Sequence, residues 1–329
     1  MRAVVLTSKG GPEVLTLADV PDPEPGPEEV VVDIVGTALN RADLLQRMGL
    51  YPEPGPPRLH EIPGMEFAGQ VVAQGSRVTR WSGGDEVMAI VSGGAYAERI
   101  AVHERQVMAV PSNVPLVDAA AIPEVWITAW DALVLQGGLR PGHTALVHAG
   151  GSGVGTAAIQ IAKAMGASVV VTVSTDKRAA CRALGADAVV DYRAGEDFVA
   201  AARDASGGSG VDVVLDVVGG DYLDRNVAAL RVGGTIVQVG VMGGGTTTLN
   251  LGALLPKRAT LRGTVLRARP LEEKIAVTRQ FAVEVLPWFA DGTVRPVIDR
   301  RYPLDRVVDA HRYMESNANV GKILLDVTG

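Results

Sequence analysis

Between residues 144 and 177 the chain leaves itself few ways to fold. Thr144-Ala145-Leu146-Val147-His148-Ala149 is an apolar run. It is followed by Gly150-Gly151-Ser152-Gly153-Val154-Gly155 and then by Thr156-Ala157-Ala158-Ile159-Gln160-Ile161-Ala162-Lys163. The run reads as a buried strand, the last segment as an amphipathic helix, and Ser168–Val173 as a second apolar strand. A helix opening on a glycine loop presents unpaired N–H groups and the positive end of its dipole, and the glycines let backbone approach closely; a pyrophosphate fits such a place. The glycines do not fall at G-x-G-x-x-G spacing, and a loop of this kind alone is also compatible with a purely structural turn. The strand–loop–helix–strand context favours the nucleotide.

The rest of the chain divides by pattern. Residues 1–110 carry short alternating strands at Arg2–Leu6, Val30–Val35, Phe67–Val72 and Val87–Ile90, broken by glycine and proline. The richest break, Tyr51-Pro52-Glu53-Pro54-Gly55-Pro56-Pro57, suits neither a helix nor a central strand. From about residue 123 the pattern becomes βα alternation: a helix over Lys177–Leu184, a strand at Ala188–Asp191, an apolar strand at Val211–Val218, a helix from Asp221 to Leu230, and a strand at Thr235–Gly240. Apolar strands separated by helices predict a parallel sheet buried on both faces, with Thr260–Leu266 closing it at an edge. The C-terminal stretch (Phe281–Ala290, Asp305–Ser316, Lys322–Val327) returns to mixed helix and strand and is expected to pack back on the N-terminal domain, making that domain discontinuous. The predicted fold class is therefore α/β, a doubly wound parallel Rossmann sheet plus an antiparallel β domain. The expected division is 1–122 with 285–329, and 123–284.

At 329 residues there is chain enough for two cores, and 47% hydrophobic with 21% charged residues describes a globular protein. The net charge of −6 carries no basic tail or arginine run, so neither nucleic acid nor an anionic membrane is an expected partner. No apolar run approaches the roughly 18 residues that span a bilayer, and the N-terminus is too short in apolar residues for a signal peptide. The single cysteine, Cys181, excludes an intrachain disulfide and reads as a buried structural thiol. These features together favour the cytoplasm.

Several segments resemble one family. Asn40-Arg41-Ala42-Asp43-Leu44-Leu45-Gln46-Arg47, Ala119-Ala120-Ala121-Ile122-Pro123-Glu124, His148–Gln160, Gly240-Val241-Met242-Gly243-Gly244-Gly245 and Asn319-Val320-Gly321-Lys322-Ile323 are similar to the zinc-independent quinone oxidoreductase branch of the medium-chain dehydrogenase/reductase superfamily. The resemblance covers essentially the whole chain. It implies a GroES-like catalytic domain, a Rossmann domain, and an active site in the cleft between them. Where zinc-dependent relatives place a catalytic cysteine this chain has Asn40, and their Gly-His-Glu reads Gly64-Met65-Glu66. One cysteine in total rules out a four-cysteine zinc lobe. Glu66 and Glu124 remain as oxygen donors, but two carboxylates without thiolate or imidazole make a poor zinc site. No metal is expected. Without a Lewis acid, alcohol oxidation is disfavoured, whereas an already electrophilic acceptor can still take a hydride from a nicotinamide.

The end of the second βα-unit strand decides which nicotinamide. An acidic residue there bonds the ribose 2′-hydroxyl and repels a 2′-phosphate. Here Val173-Ser174-Thr175 ends the strand and Lys177 follows, so Ser174 and Lys177 favour NADPH; Asp176 argues the other way, and Lys177 also reads as a solvated helix residue. Gly150, Ser152, Gly153 and Val154 are the expected pyrophosphate cradle. Gly240, Val241 and Met242 lie at the carboxyl edge of the sheet, where open α/β sheets bind ligands. Lys322 is either a pyrophosphate contact from the other domain or a surface lysine, and His148 reads as a packing residue. The resemblance further implies that Tyr192 meets the adenosine end, and that Thr128 lies near the nicotinamide and phosphates unless it is a buried helix threonine. It makes Tyr51 the first candidate to bond the acceptor oxygen or relay a proton, with a loop tyrosine capping an apolar patch as the alternative. Asn40 is either a ligand to substrate or ribose or the N-cap of the helix Arg41–Gln46, and the two roles can coexist.

The implied activity is NADPH-dependent reduction of a quinone or related conjugated carbonyl by a homodimer that pairs through the edge of the Rossmann sheet. Two alternatives stay open: an enoyl or enone reductase on the same scaffold, and a non-catalytic NADPH-binding protein of the lens-structural or RNA-binding kind.

Overall fold

The computed structural model describes residues 1–55 and 59–327, so Pro56 and Pro57 of the proline-rich break lie outside the described residues. The chain forms two compact units, residues 1–127 with 266–329, and 128–265. The expected cuts were at 122/123 and 284/285. The helix Leu271–Glu284 therefore falls with the first unit, where its face carrying Ile275, Thr278 and Phe281 is buried.

In the first unit, a hairpin pairs Arg2–Leu6 with Leu15–Asp19, Arg2 opposite Asp19 and Leu6 opposite Leu15. A seven-stranded sheet follows, in the order Ile298–Pro303, Lys322–Asp326, Glu29–Ala38, Glu66–Gln74, Glu86–Ile90, Met108–Ala109, with Arg99–His103 also pairing Glu29–Ala38. Its ladders are antiparallel except for the pair Ile298–Pro303 and Lys322–Asp326. A parallel pair needs a crossover, and the helix Val307–Glu315 provides it. The C-terminal strand then inserts beside Glu29–Ala38, Leu324 opposite Ala38, so the unit is built from both ends of the chain. Val30, Val32, Ile34, Phe67, Val71, Val87, Ile323 and Leu325 form the core beneath the sheet.

The second unit is a six-stranded, all-parallel sheet ordered Ala188–Asp191, Ser168–Val173, Thr144–Val147, Val211–Asp216, Leu230–Gln238, Thr260–Gly263. In chain order that is 3-2-1-4-5-6, the doubly wound arrangement whose order reverses beside the first strand. Val169, Val170, Val171, Val213, Val214 and Leu215 are almost fully buried, because helices cover both faces. The expected helix Lys177–Leu184 is a tight turn, Thr175–Lys177, leading into Arg178–Ala183. The edge strand ends at Gly263 and not Leu266: Thr264 turns away, its hydroxyl donating to Asp131 at 2.7 Å. Cys181 is fully buried, and burial pushes its thiol up to about 11, as befits a structural cysteine.

Candidate functional site

The glycine loop of the second unit is shaped by contact. A Cβ at Gly150 would lie 2.7 Å from Val171 Cβ, and one at Gly155 would lie 2.4 Å from the Ala149 carbonyl oxygen. These two glycines let the loop sit on the second strand and the helix sit on the loop, while Ala149 takes a left-handed φ of 57°. Ser152 caps the helix Gly153–Ala164, its Oγ accepting from Gly155 N–H at 3.0 Å. Gly153 and Val154 open the helix, where N–H groups have no intrahelical acceptor. Lys177 folds back on this loop: a Cβ at Gly151 would be 2.6 Å from its Cδ. Ser174 is buried at the end of the second strand. Asp176 is engaged by the Ser174 hydroxyl, which holds its carboxyl below the usual range, and lies 4.0 Å from Arg193. Tyr192, half exposed, is tied to the same strand end by its N–H to Val173 O at 3.2 Å. Gly151, Ser174, Lys177 and Tyr192 thus gather at one end of the loop.

At the other end a buried chain of hydrogen bonds fixes two loops. His148 is fully buried against Phe198 and Tyr222. Its Nε2 lies 2.7 Å from Asn226 Oδ1 and its Nδ1 3.0 Å from Thr172 Oγ1. Asn226 Nδ2 donates to Asp216 Oδ2 at 2.9 Å, so Asn226 Oδ1 accepts and the His148 proton resides on Nε2. Burial lowers the His148 pKa, keeping the ring neutral. Asp216 Oδ1 accepts from the N–H groups of Val218 (2.6 Å) and Gly219 (2.9 Å). That loop in turn holds the next, through Met242 N–H to Val217 O and Gly243 N–H to Val218 O. Gly240 is fixed by Gln238 Nε2 at 2.6 Å, leaving Val241 and Met242 exposed. Thr128 is a buried residue of the helix Pro123–Trp130.

In the first unit Asn40, Glu66 and Lys322 come together. Lys322 Nζ donates to Glu66 Oε1, Asn40 Oδ1 and the Leu39 carbonyl, each at 2.7 Å, and all three side chains are at least 96% buried. The ammonium has three donors and all are used. Lys322 is therefore neither a surface lysine nor free for a pyrophosphate, because the strand Lys322–Asp326 inserts next to the segment that ends at Leu39. Asn40 Nδ2 also donates to Glu66 Oε1 at 2.8 Å, and Glu66 Oε2 accepts from Glu124 N–H at 2.8 Å. Asn40 precedes the helix Arg41–Arg47, and its N–H donates to Asp43 Oδ2 at 2.7 Å. Of its two expected roles the cap-position one is visible here, with its amide spent on Glu66 and Lys322. Asp43 is fully buried, accepts from Tyr96 Oη at 3.1 Å, and is pushed up to about 6 by that burial.

These donors do not fit zinc. Neither Asn40 nor Met65 offers a thiolate or imidazole, and an ammonium already lies on the Glu66 carboxylate. Among the described residues no group of three or more His, Cys, Asp or Glu is arranged to hold a metal.

Tyr51 is half-buried. Burial raises its phenol pKa against the opposing field of Arg267, so it stays protonated. Arg267, 4% exposed, lies 5.2 Å over the Tyr51 ring and donates to the Tyr51 carbonyl at 3.3 Å and to Gln46 Oε1 at 2.6 Å. Sequence reasoning missed Arg267, Asn226 and Asp216. Each left a signal: a charged residue closing an apolar β segment for Arg267 and Asp216, and a polar residue on the buried face of Tyr222–Ala229 for Asn226.

A glycine loop opening a helix on a 3-2-1-4-5-6 sheet, joined in one chain to an antiparallel β unit, is a dinucleotide-binding type of arrangement. Residues 153–282 match the family described as zinc-binding dehydrogenase, and residues 26–112 match the alcohol dehydrogenase GroES-like domain. The chain is 34% identical to a quinone oxidoreductase of Pseudomonas aeruginosa, covering 98% of this chain and 99% of that one. It is 32% identical to the synaptic vesicle membrane protein VAT-1 homolog of Rattus norvegicus, over 99% of this chain and 84% of the relative. Among solved structures, Escherichia coli quinone oxidoreductase complexed with NADPH superposes with a TM-score of 0.88 at 30% identity, covering 99% of this chain and all of that one. The JamJ enoyl reductase superposes with a TM-score of 0.88 at 26% identity, covering 99% of each chain. The chain belongs to the medium-chain dehydrogenase/reductase superfamily and has quinone oxidoreductases among its relatives.

Proposed function

We propose that this protein is an NADPH-dependent quinone reductase that delivers hydride to a quinone or related conjugated acceptor without a metal. The observation that carries this reading is the gathering of Ser174, Lys177 and Tyr192 beside a glycine loop whose geometry admits no larger residue at Gly150 or Gly155. The N–H groups of Gly153 and Val154 and the Ser152 hydroxyl would hold the pyrophosphate, with Thr128 nearby and the backbone of Gly150, whose own N–H is spent on the Thr172 carbonyl, allowing its close approach. Ser174 and Lys177 would hold the 2′-phosphate, with Tyr192 against the adenosine. Asp176 does not oppose this, being already engaged by Ser174 and Arg193. Gly240, Val241 and Met242 would border the nicotinamide. The bound nicotinamide supplies the hydride. Tyr51, kept protonated by burial, donates a hydrogen bond to the acceptor oxygen and steadies the charge that develops there. Asn40 is a positioning residue that, with Lys322, orders the segment between the Glu29–Ala38 strand and the helix Arg41–Arg47.

Within the superfamily we place the chain near the p53-inducible quinone oxidoreductase-like protein, on the strength of the Ala149–Gly155 loop with its Ser152. The exposed edge strand Thr260–Gly263 supports a homodimer built through that edge, and the buried thiol and absence of a membrane-length apolar helix among the described residues are compatible with the cytoplasm.

Reduction of an enone or enoyl thioester is the second reading, supported by the likeness to an enoyl reductase. An acceptor screen with NADPH and NADH side by side separates the two. Turnover of 1,4-benzoquinone well above that of an enone or enoyl thioester is expected, and the reverse order would hand the assignment to the enoyl reductase. Lys177→Ala should weaken NADPH about tenfold or more relative to NADH, as loss of a charge-assisted phosphate contact does; equal losses would sink the NADPH preference.

A further inference from the structure

A narrow recess, with room inside for about one water-sized group, opens in the first unit at Arg267, which lies over the Tyr51 ring. Ile90, Val91, Ile127 and Val277 make its walls apolar, and Arg267, Lys274 and Thr278 supply its polar groups. The space inside is narrow, so it admits the end of a ligand and not a ring system.

Its two cations are met only by neutral oxygens. Arg267 donates to the Ser92 carbonyl at 2.7 Å, the Tyr51 carbonyl and Gln46 Oε1. Lys274 donates to Ser92 Oγ, which itself donates to the Arg267 carbonyl at 2.9 Å. Neither cation forms an ion pair with a carboxylate among the described residues. Glu61 reaches Arg267 only through Gln46, whose Nε2 it accepts at 2.9 Å, and Glu61 is already paired with Lys9. Asp43 feels the Arg267 charge at longer range. Burial pulls the Lys274 pKa down, and the neighbouring guanidinium of Arg267 adds to it. A guanidinium has five N–H donors and an ammonium three, so both retain donors after these bonds. The Thr278 hydroxyl, 1% exposed, has no partner among the described residues.

We propose that this recess is a subsite for an anionic group, a carboxylate or sulfonate, carried by the acceptor molecule. An anion between Arg267 and Lys274 would relieve their repulsion and gain charge-assisted hydrogen bonds from both, in surroundings where apolar walls strengthen them. Arg267 would join the two ends of the acceptor, ordering Tyr51 at the reacting oxygen and binding charge in the recess. That the ligand is a quinone acceptor rests on the proposed function above; that the recess binds an anion does not.

The test therefore has two arms, both on the full chain. Benzoate, titrated against the protein by calorimetry and thermal shift, should bind and raise the melting temperature, whereas neutral benzamide should not. Lys274→Gln should weaken benzoate about tenfold, and Lys274→Arg should restore it. In the second arm, kcat/KM is compared for 1,2-naphthoquinone-4-sulfonate and 1,2-naphthoquinone, and their ratio should fall about tenfold in Lys274→Gln. The proposal is overturned if benzoate and benzamide behave alike, or if the ratio is the same in wild type and variant. Failure of both quinones to turn over would defeat the reductase reading alone and leave the benzoate arm to decide the recess.

Discussion

Two buried sites show how the same physical cost can be met or left unmet. Glu66 and Lys322 are both out of water, and their pairing is completed by Asn40, Leu39 and Glu124. Removing one partner strands a buried charge, which costs about 3–5 kcal/mol. Lys322→Met should lower stability by that order in chemical denaturation, and adding Glu66→Gln should recover part of the loss. A double variant no more stable than the single one would show that packing, and not charge, sets the cost. His311 is the opposite case. It is fully buried, neither ring nitrogen has a hydrogen-bond partner among the described residues, and burial together with the nearby Arg47 charge holds its pKa at about 3. A folded pKa below the unfolded value near 6.5 means that the unfolded chain takes up the proton first. The proton linkage then costs nothing above about pH 6.5 and destabilises progressively as pH falls towards 3, by about 2 kcal/mol at pH 5. His148, also buried neutral, acts in the same direction, while Asp43 with its raised pKa acts in the other. His311→Leu should leave the melting temperature at pH 7.5 unchanged or higher and make its decline towards pH 5 shallower. An unchanged acid slope would remove His311 as a source of that decline.

At the scale of elements, the strand–loop–helix unit was legible because its demands are local: glycines where backbone meets backbone, a serine at the cap, and an apolar helix face. Gly155→Ala tests how tight that unit is. Its new Cβ would meet the Ala149 carbonyl oxygen at 2.4 Å and Gly150 Cα at 2.6 Å, both of them backbone atoms with little room to yield. A loss of about 1–3 kcal/mol is expected from overpacking, with NADPH binding weakened because the displaced N–H groups are those of the proposed cradle. Fluorescence titration of NADPH checks this, and wild-type affinity in the variant would mean that the phosphates sit elsewhere. Element ends were harder to read. The edge strand stops at Gly263 because Thr264 finds Asp131, and that partner lies far back in the sequence. For the same reason the helix Leu271–Glu284 reads locally as part of the βα series yet packs with the first unit.

For the whole molecule, the six-stranded sheet ends in an exposed strand, Thr260–Gly263, flanked by the exposed Leu251 and Leu255 of the neighbouring helix. An uncovered edge with apolar neighbours is a pairing surface. In the proposed homodimer Leu261→Lys should shift sedimentation from dimer to monomer without altering far-UV circular dichroism; a wild-type monomer at micromolar concentration would end that proposal. The sequence by itself determined the parallel sheet, the glycine loop, the discontinuous β unit and the lack of thiolate and imidazole donors at Asn40 and Met65. Each of these follows from local period, spacing or residue chemistry. Only the tertiary structure decided what Lys322, Arg267 and His148 do, since each acts on a residue remote in the chain: Asn40 and Glu66 for Lys322, Tyr51 and Gln46 for Arg267, Asn226 for His148. A buried charge is defined by the partners that satisfy it, and those are fixed by how strands and helices come together, not by neighbours in sequence.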